Sequence, residues 1–240
     1  MDELRFDGRV AVVTGAGRGI GRAYARLLAA RGASVVVNDL GGSMGGEGAS
    51  AGPADDAVAE ITAAGGTAAA DTNDISSVTG AQALIDGAVA RFGRIDVVVN
   101  NAGIMRWARF PDVPDADFEA HLAVHTVGSF LTCRAAWPHF AESGYGRIVN
   151  TVSAGMFGLP DNTSYAAAKG GVLGLTRSMA VAGRKLGITA NCIAPAAMTR
   201  MAGPSGDEPE GDDMGMPPDL VAPMVAYLCL LYTSPSPRDS

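Results

Sequence analysis

Short apolar runs without charged residues recur along the first 150 positions of the chain. They occupy residues 10–13, 35–37 and 97–99, and the last is the pair Ile148 and Val149. Most of these residues are valines, and they do not alternate with polar positions, which is typical of strands buried on both faces of a parallel sheet. The runs therefore predict the core strands of one sheet.

Between these runs the apolar residues recur at helical spacing. In residues 76–92 they stand three or four positions apart, which places them on one face of a helix. The repeated switch from strand to helix predicts an α/β fold. We expect a Rossmann-type, doubly wound parallel sheet in a three-layer α/β/α arrangement, with the ligand crevice beyond the carboxyl ends of the strands.

Two segments interrupt this alternation. Residues 41–53 hold six glycines and predict a flexible loop after the second strand, which we interpret as a tolerated insertion. Residues 203–218 hold five carboxylates among Gly and Pro and no Lys or Arg. This composition predicts a mobile acidic loop, and its place after the sixth strand makes it a candidate lid.

Composition narrows the class of partner. The chain has 240 residues, 48% hydrophobic and 18% charged, which suits one domain with a sizeable core. Its net charge of −7 argues against nonspecific binding to nucleic acid or anionic lipid, so we expect a small-molecule partner. The N-terminal residues resemble no secretory or transit peptide, and no apolar stretch reaches the ~20 residues that span a bilayer. We therefore expect a cytoplasmic protein that does not associate with membranes.

The cysteines and histidines do not have the spacing of metal ligands. The three cysteines lie far apart without a CxxC pair, so we expect buried thiols, and neither a disulfide framework nor a zinc site. His121 and His139 also lack a partner at metal-ligand spacing, and we interpret both as structural. No metal site is predicted.

A glycine motif, TGAGRGIG at residues 14–21, directly follows the first apolar run and opens a helical pattern. Its glycines let the backbone approach a pyrophosphate, and the free N–H groups at the helix start bind the negative charge. This context predicts a dinucleotide-binding turn. The candidate cofactor-binding residues in it are Gly15, Gly17, Arg18, Gly19, Ile20 and Gly21.

Asp39 decides between the two nicotinamide cofactors. It closes the second strand, where a carboxylate accepts hydrogen bonds from both ribose hydroxyls of NAD and repels the 2′-phosphate of NADP. Arg18 points the other way, because a guanidinium in the glycine motif could pair with that phosphate. An arginine beside the diphosphate is favourable with either cofactor, so we predict NAD.

Tyr165 and Lys169 stand four apart in residues 165–186, which predict a helix, so they share one face. Lysine occurs only twice in the chain, which makes a chance pairing improbable. A phenol with a pKa near ~10 is a poor base at neutral pH, but a nearby ammonium favours the phenolate. Ser153, which follows a predicted strand at residues 147–152, is a candidate to hold a substrate oxygen.

Taken in order, these motifs resemble the short-chain dehydrogenase/reductase family over residues 5–228. The resemblance implies that Tyr165 exchanges the proton with the substrate, that Lys169 binds the nicotinamide ribose and tunes Tyr165, and that Ser153 orients the carbonyl. It also implies a homodimer or homotetramer. Further cofactor-binding residues implied by the family motifs are Asp74, which contacts adenine, and Asn101, Ala102 and Gly103 of the NNAG motif.

The sequence departs from the family pattern at three places. His125 stands where the family usually has an asparagine that supports a proton-relay water, and histidine titrates near neutral pH. The family's PG after the sixth strand is Pro195-Ala196 here, so an alanine stands in place of the glycine. Thr199, which follows, would face the nicotinamide amide. The candidate serine precedes the tyrosine by 12 residues, one fewer than is common, which leaves Ser164 as an alternative.

Several segments resemble one subgroup of the family, the (3R)-hydroxyacyl-CoA dehydrogenase units of peroxisomal multifunctional enzymes type 2 and their bacterial relatives. These segments are residues 35–42, 93–104, 124–130, 134–140 and 193–201. The similarity implies oxidation of a (3R)-hydroxyacyl-CoA with NAD. The acidic loop would repel the phosphates of CoA unless Arg106, Arg109 and Arg200 line the mouth of the site. A steroid, a terpene or another secondary alcohol therefore stays open as substrate, as does a non-catalytic NAD-binding protein.

The C-terminal residues 229–239, CLLYTSPSPRD, resemble the translation of a sequencing adapter, although a native Ser/Pro-rich tail is the alternative. We therefore expect one dehydrogenase domain in residues 1–228, without the closing strand of the family, and a non-native tail in residues 229–240. Loss of that strand would leave an unpaired sheet edge and exposed apolar area. A weakly stable, aggregation-prone and poorly active chain is the expected consequence.

Overall fold

The computed structural model describes residues 5–197 and 216–230, with the backbone alone at residue 230. Six parallel strands form one sheet in the order β3-β2-β1-β4-β5-β6. The strands are β1 (Val10–Thr14), β2 (Ser34–Asn38), β3 (Thr67–Asp71), β4 (Val97–Asn100), β5 (Gly146–Thr151) and β6 (Ile188–Ile193).

Helices cover both faces of this sheet. They are α1 (Gly19–Ala30), α2 (Gly52–Ala63), α3 (Val78–Phe92), α4 (Asp115–His121), α5 (Gly128–Ser143), α6 (Thr163–Gly183) and α7 (Ala222–Leu230). One apolar core joins α1, α2 and α7 to the sheet, and a second core joins α3, α5 and part of α6 to the opposite face. The predicted three-layer Rossmann-type architecture is confirmed.

The valine runs form the centre of the sheet. Val13 is paired with Val37 on one side and with Val99 on the other, and all three are fully buried. The four runs correspond to β1, β2, β4 and β5, as predicted. The four runs did not include β3, whose sequence TAAAD offers small side chains that are at most partly buried. They also did not include β6, in which Thr189 and Asn191 interrupt the apolar positions.

A buried polar network ties the centre of the sheet to the helices on one face. Asn100 at the end of β4 donates to the Asn150 side chain of β5 over 2.9 Å, and Thr132 of α5 donates to Asn100 over 2.6 Å. Asn150 in turn donates to Thr176 of α6 over 2.8 Å. Since every member has a partner, the network fixes the spacing of these elements without leaving a buried polar group unpaired.

No helix in the described part of the chain has the length and apolar character needed to cross a membrane. Within the same residues, no group of three or more His, Cys, Asp or Glu side chains could hold a metal ion. The three cysteines are free thiols; Cys133 and Cys229 are buried as expected, whereas Cys192 on β6 is only partly buried.

Candidate active site

The glycine motif lies between the carboxyl end of β1 and the start of α1. Gly15, with φ of +63°, approaches the neighbouring loop so closely that an added Cβ would lie 2.7 Å from the Cα of Ala102. A Cβ on Gly17 would lie 2.8 Å from a carboxylate oxygen of Asp39, and one on Gly21 would collide with the Gly15 carbonyl. The result is a cradle of bare backbone at a helix N-terminus, which fits a dinucleotide pyrophosphate.

A cavity opens at the carboxyl ends of β1, β2 and β4, where the order of the strands reverses. This is the position at which doubly wound sheets bind their ligands. The predicted cofactor residues that line the cavity are Gly15, Arg18, Gly19, Ile20, Asp39, Asp74, Asn101, Ala102 and Gly103.

Asp39 and Arg18 both face this cavity. The Asp39 carboxylate accepts hydrogen bonds from the backbone N–H groups of Gly17 and Gly41, each over 2.8 Å. The Arg18 guanidinium donates to the carbonyl of Gly42 over 3.3 Å. The carboxylate is therefore held in place by two donors at the end of β2, while the guanidinium is directed to the loop that follows it.

The NNAG segment is fastened to the end of β1. Its Asn101 side chain donates to the carbonyls of Thr14 and Gly15 over 3.1 and 3.0 Å. The backbone N–H groups of Asn101 and Ala102 both donate to the Thr14 hydroxyl over 3.1 Å. These four bonds hold the two walls of the crevice together at its base.

The structure describes two more of the predicted cofactor residues in detail, Asp74 and Pro195. The Asp74 carboxylate accepts hydrogen bonds from the backbone and the hydroxyl of Ser76, over 2.9 and 2.7 Å. Pro195 stands two residues beyond β6, whose last carbonyl accepts a hydrogen bond from the residue before Ser153. Thr199 lies outside the described residues.

Ser153 and Tyr165 meet beside the end of β5. Ser153 caps a short 3₁₀ turn (Ala154–Phe157), and its Oγ accepts from the Gly155 N–H over 3.1 Å. A Cβ on Gly155 would lie 3.4 Å from that oxygen and 3.5 Å from Cε1 of Tyr165, so both side chains pack next to this glycine. Burial raises the pKa of the Tyr165 hydroxyl, and the neighbouring Ser153 hydroxyl acts in the opposite direction.

Lys169 lies one turn beyond Tyr165 on α6 and is 3% exposed. Its Nζ donates to the Thr151 carbonyl over 2.7 Å and stands 5.6 Å from the centre of the Tyr165 ring. Burial lowers the pKa of Lys169 to about 7. We expected its ammonium to hold the tyrosine pKa down; instead burial dominates at both residues, and the pKa of Tyr165 is raised.

His125 lies within a π-helical turn (Leu122–Val127) that joins α4 to α5. Its ring is 1% exposed and edge-on to Tyr165, with ring centres 5.2 Å apart, and its Nε2 lies 2.9 Å from the Ile104 carbonyl. Its Nδ1 has no partner among the described residues. Burial and the Lys169 charge hold the pKa of His125 well below its usual value, so the expectation that it titrates near neutral pH is wrong.

The sequence did not reveal a contact between His121 and Ser164. The His121 Nε2 accepts a hydrogen bond from the Arg106 backbone N–H over 3.2 Å, so the neutral ring carries its proton on Nδ1. That proton is directed to the Ser164 hydroxyl, 2.9 Å away. His121 is fully buried with a hydrogen-bond partner at each ring nitrogen, which is what a structural role requires, and Ser164 is turned to this partner.

The glycine-rich segment after β2 is part of the site. Its residues Gly42, Ser43, Met44 and Gly46 line the cavity together with Asp39. The loop ends at residue 51, two residues earlier than predicted, because α2 begins at Gly52. The interpretation as a tolerated insertion did not foresee that the loop forms a wall of the cavity.

Large apolar side chains are exposed on the segments next to the start of α6. Two segments meet there through a bridge between Ala108 and Asn162. They carry large exposed apolar side chains: Trp107, Phe110, Phe157 and Leu159. Arg106 is engaged with Asp117 and Arg109 with Asp161, and Arg200 lies outside the described residues.

Residues 9–209 match the family model of the short chain dehydrogenases. The chain belongs to this family of oxidoreductases, which act on CH–OH groups with a nicotinamide dinucleotide. The Rossmann-type sheet and the cavity beside the glycine motif agree with this family.

Among curated relatives, the chain is 48% identical over 227 residues to the peroxisomal multifunctional enzyme type 2 of Mus musculus. It is 47% identical over 224 residues to the peroxisomal hydratase-dehydrogenase-epimerase of Neurospora crassa. These matches cover 94% and 93% of this chain, but only 30% and 24% of the relatives. The hydroxyacyl-CoA dehydrogenase ChsB1 of Mycobacterium tuberculosis is 42% identical, with 93% of this chain and 73% of that protein covered.

Solved structures agree with this assignment. A 7α-hydroxysteroid dehydrogenase in complex with NADH and 7-oxo glycochenodeoxycholic acid matches with a TM-score of 0.84 and 33% identity, over 96% of this chain and 91% of that one. A metagenomic short-chain oxidoreductase in complex with NADP matches with a TM-score of 0.79 and 32% identity, over 96% and 94%. The similar structures thus include complexes with NADH and with NADP.

Proposed function

We propose that the protein is an NAD-dependent dehydrogenase that oxidises a secondary alcohol, or reduces the ketone, with Tyr165 as acid and base. The observation that carries this is the cluster of Ser153, Tyr165 and Lys169 at the end of β5, beside a cavity with a glycine cradle. The oxidised nicotinamide, when bound, supplies the hydride acceptor and a positive charge.

Each residue of the cluster has a distinct task. The Tyr165 hydroxyl takes the proton of the substrate hydroxyl during oxidation and returns it during reduction. Ser153, held by the Gly155 N–H, orients the substrate oxygen and helps to lower the pKa of the tyrosine. Lys169, fixed by the Thr151 carbonyl, positions the nicotinamide ribose.

His125 supports the relay of the proton to solvent. The ring is neutral at pH 7, and its Nδ1 is buried without a partner among the described residues, so a water molecule is the natural occupant of that position. In this arrangement His125 does not exchange the proton itself. It orients the water that does.

The preference for NAD rests on Asp39. Its carboxylate is fixed by two N–H donors at the cavity wall, where a 2′-phosphate would be repelled. Arg18 is engaged with the Gly42 carbonyl. We expect kcat/KM to be at least about 100-fold higher with NAD than with NADP, and Asp39→Ala to reduce that ratio at least tenfold. Equal use of both cofactors by the parent would contradict the proposal.

For the substrate we propose a (3R)-hydroxyacyl-CoA. The multifunctional relatives and the mycobacterial hydroxyacyl-CoA dehydrogenase support this class, and the exposed apolar side chains next to the start of α6 suit an acyl chain. The experiment follows NADH formation with (3R)- and (3S)-hydroxyacyl-CoA of several chain lengths. Turnover of the (3R) form alone is expected, and inactivity on both would contradict the assignment.

A hydroxysteroid is the second candidate. The hydroxysteroid dehydrogenase matches with the TM-score of 0.84. Arg106 and Arg109 already have carboxylate partners, which leaves less positive charge for CoA phosphates. A set of hydroxysteroids assayed beside the acyl-CoA substrates separates the two. Higher kcat/KM on a steroid would replace the acyl-CoA assignment.

We also propose a homodimer or homotetramer in the cytoplasm. Exposed apolar side chains of α5 and α6, including Phe130 and Val181, offer a surface that a second copy could bury. Light scattering coupled to gel filtration tests this. A monodisperse monomer would contradict it.

A further inference from the structure

We propose that the loop at residues 41–51, here called the glycine-rich loop, is the outer wall of the dinucleotide cavity and that Arg106 holds it in place. This inference rests on the proposed function, because the occupant of the cavity is taken to be NAD. It makes Arg106 a positioning residue that determines cofactor affinity without contact to the reacting atoms.

The glycine-rich loop has internal order. Its two ends are joined by a hydrogen bond from the Ser50 N–H to the Leu40 carbonyl over 2.9 Å. Inside it, the Ser43 hydroxyl accepts from the Glu47 N–H over 3.1 Å, and the Ser43 carbonyl accepts from the Gly46 N–H over 3.0 Å. These bonds give the loop one defined shape that neighbouring residues can hold.

The segment after β4 holds the glycine-rich loop at three points. The Met105 N–H donates to the Met44 carbonyl over 3.0 Å, and the Arg106 Nε donates to the Gly45 carbonyl over 2.7 Å. Gly46, with φ of +85°, packs on Ile104 so closely that an added Cβ would lie 2.9 Å from Cγ2 of Ile104. The loop therefore closes against the segment that carries the far wall of the cavity.

Arg106 connects the loop to a helix. While its Nε binds the Gly45 carbonyl, its Nη1 donates to the Asp117 carboxylate of α4 over 2.9 Å. The two side chains are 28% and 22% exposed, so the ion pair is partly shielded from water. A planar guanidinium can serve both acceptors at once, in a geometry that a lysine ammonium reproduces less well.

The position of the loop affects the cofactor because both belong to one cavity. The Gly42 carbonyl of the loop accepts a hydrogen bond from Arg18 of the glycine motif. At the start of the loop, the Gly41 N–H donates a hydrogen bond to the Asp39 carboxylate. If Arg106 is removed, the loop loses its link to α4 and one of its three attachments, so the wall beside Asp39 is held less firmly. We expect weaker cofactor binding with little change in the chemical step.

The first test compares Arg106→Met and Arg106→Lys with the parent, by fluorescence titration of NADH and by steady-state kinetics. Arg106→Met should raise the NADH Kd and the NAD KM about tenfold or more, with kcat within about threefold. Arg106→Lys should recover part of the loss. The matched control is Arg109→Met, which removes an exposed arginine from an ion pair without loop contact and should bind NADH within about twofold of the parent.

The second test uses two glycines of the loop with similar backbone strain. Gly46 and Gly48 have φ of +85° and +78°, but a Cβ on Gly48 would meet nothing within 4 Å. Gly46→Ala should therefore raise the NADH Kd at least about fivefold more than Gly48→Ala. Equal effects of the two substitutions would overturn the contact of the loop with Ile104.

Proteolysis reports the position of the loop directly. Glu47 is an exposed glutamate in the loop, so a glutamate-specific protease can cut there, and mass spectrometry identifies the cut. NADH should slow this cleavage in the parent, and Arg106→Met should be cut faster. If the parent binds NADH but Arg106→Met binds it equally well and is cut at the same rate, the role of Arg106 is refuted. If the parent binds neither NADH nor NADPH, the proposed function itself fails.

Discussion

Replacement of Lys169 by methionine should stabilise the fold while it abolishes activity. Lys169 is 3% exposed, and burial lowers its pKa from 10.5 to about 7. Because the pKa of Lys169 is lower in the folded state than in the unfolded state, burial of its ammonium lowers the free energy of unfolding. This destabilisation is complete below pH 7 and disappears above pH 10.5. Its size is about 4 kcal/mol at pH 7 and about 1.5 kcal/mol at pH 9.5.

The variant also loses the hydrogen bond from Nζ to the Thr151 carbonyl, which reduces the gain by about 1–2 kcal/mol. Methionine fills nearly the same space, so no large cavity is expected. The net prediction for Lys169→Met is a gain in the free energy of unfolding of about 2–3 kcal/mol at pH 7. At pH 9.5 the gain should fall to about zero.

The assay is urea unfolding of both proteins without cofactor, at pH 7 and at pH 9.5. Comparing the variant with the parent at each pH cancels the titration of the groups that do not interact with Lys169. A variant that is less stable than the parent at pH 7 would refute the argument. So would a difference that does not shrink as the pH rises.

Two further predictions concern Ser153 and Asp96. Because the Ser153 hydroxyl lowers the pKa of Tyr165, Ser153→Ala should move the rise of kcat/KM for alcohol oxidation to higher pH. Ser164→Ala, which removes the contact with His121, should leave the pH–rate profile unchanged. Equal pH–rate profiles for the two variants would contradict this assignment. Asp96 is fully buried and receives hydrogen bonds from Arg9, Arg94 and the Val10 N–H, so Asp96→Asn should lower the free energy of unfolding by about 2 kcal/mol, measured by urea denaturation. A loss below ~0.5 kcal/mol would show that this carboxylate does not anchor β1.

The sequence was sufficient to predict the strands that are buried on both sides, because such strands must be continuously apolar. It was weaker where a polar side chain decides the boundary. The predicted helix at residues 76–92 begins at Val78, since the Ser77 side chain caps it by accepting from the Gly80 N–H. β3 escaped detection because its alanines are at most partly buried and give little apolar signal.

In the candidate site, the sequence predicted local patterns and missed contacts between residues far apart in the chain. The glycine motif and the pair Tyr165 and Lys169 are local patterns, whose spacing alone places them in a turn and on one helix face. The contact of His121 with Ser164 joins residues 43 positions apart, and no local spacing encodes it. The role of the glycine-rich loop depends likewise on the course of the chain after β4, which is determined by tertiary packing.

The most direct test of the central claim is the rate of NADH formation by Tyr165→Phe, measured together with its affinity for NADH. Phenylalanine preserves the ring that packs on His125 and removes only the hydroxyl. We expect at least a 1,000-fold loss of kcat, at the upper part of the ~10²–10⁴ range for general acid–base catalysis, with the NADH Kd within about threefold of the parent. A variant that forms NADH at the parent's rate would contradict the assignment of Tyr165.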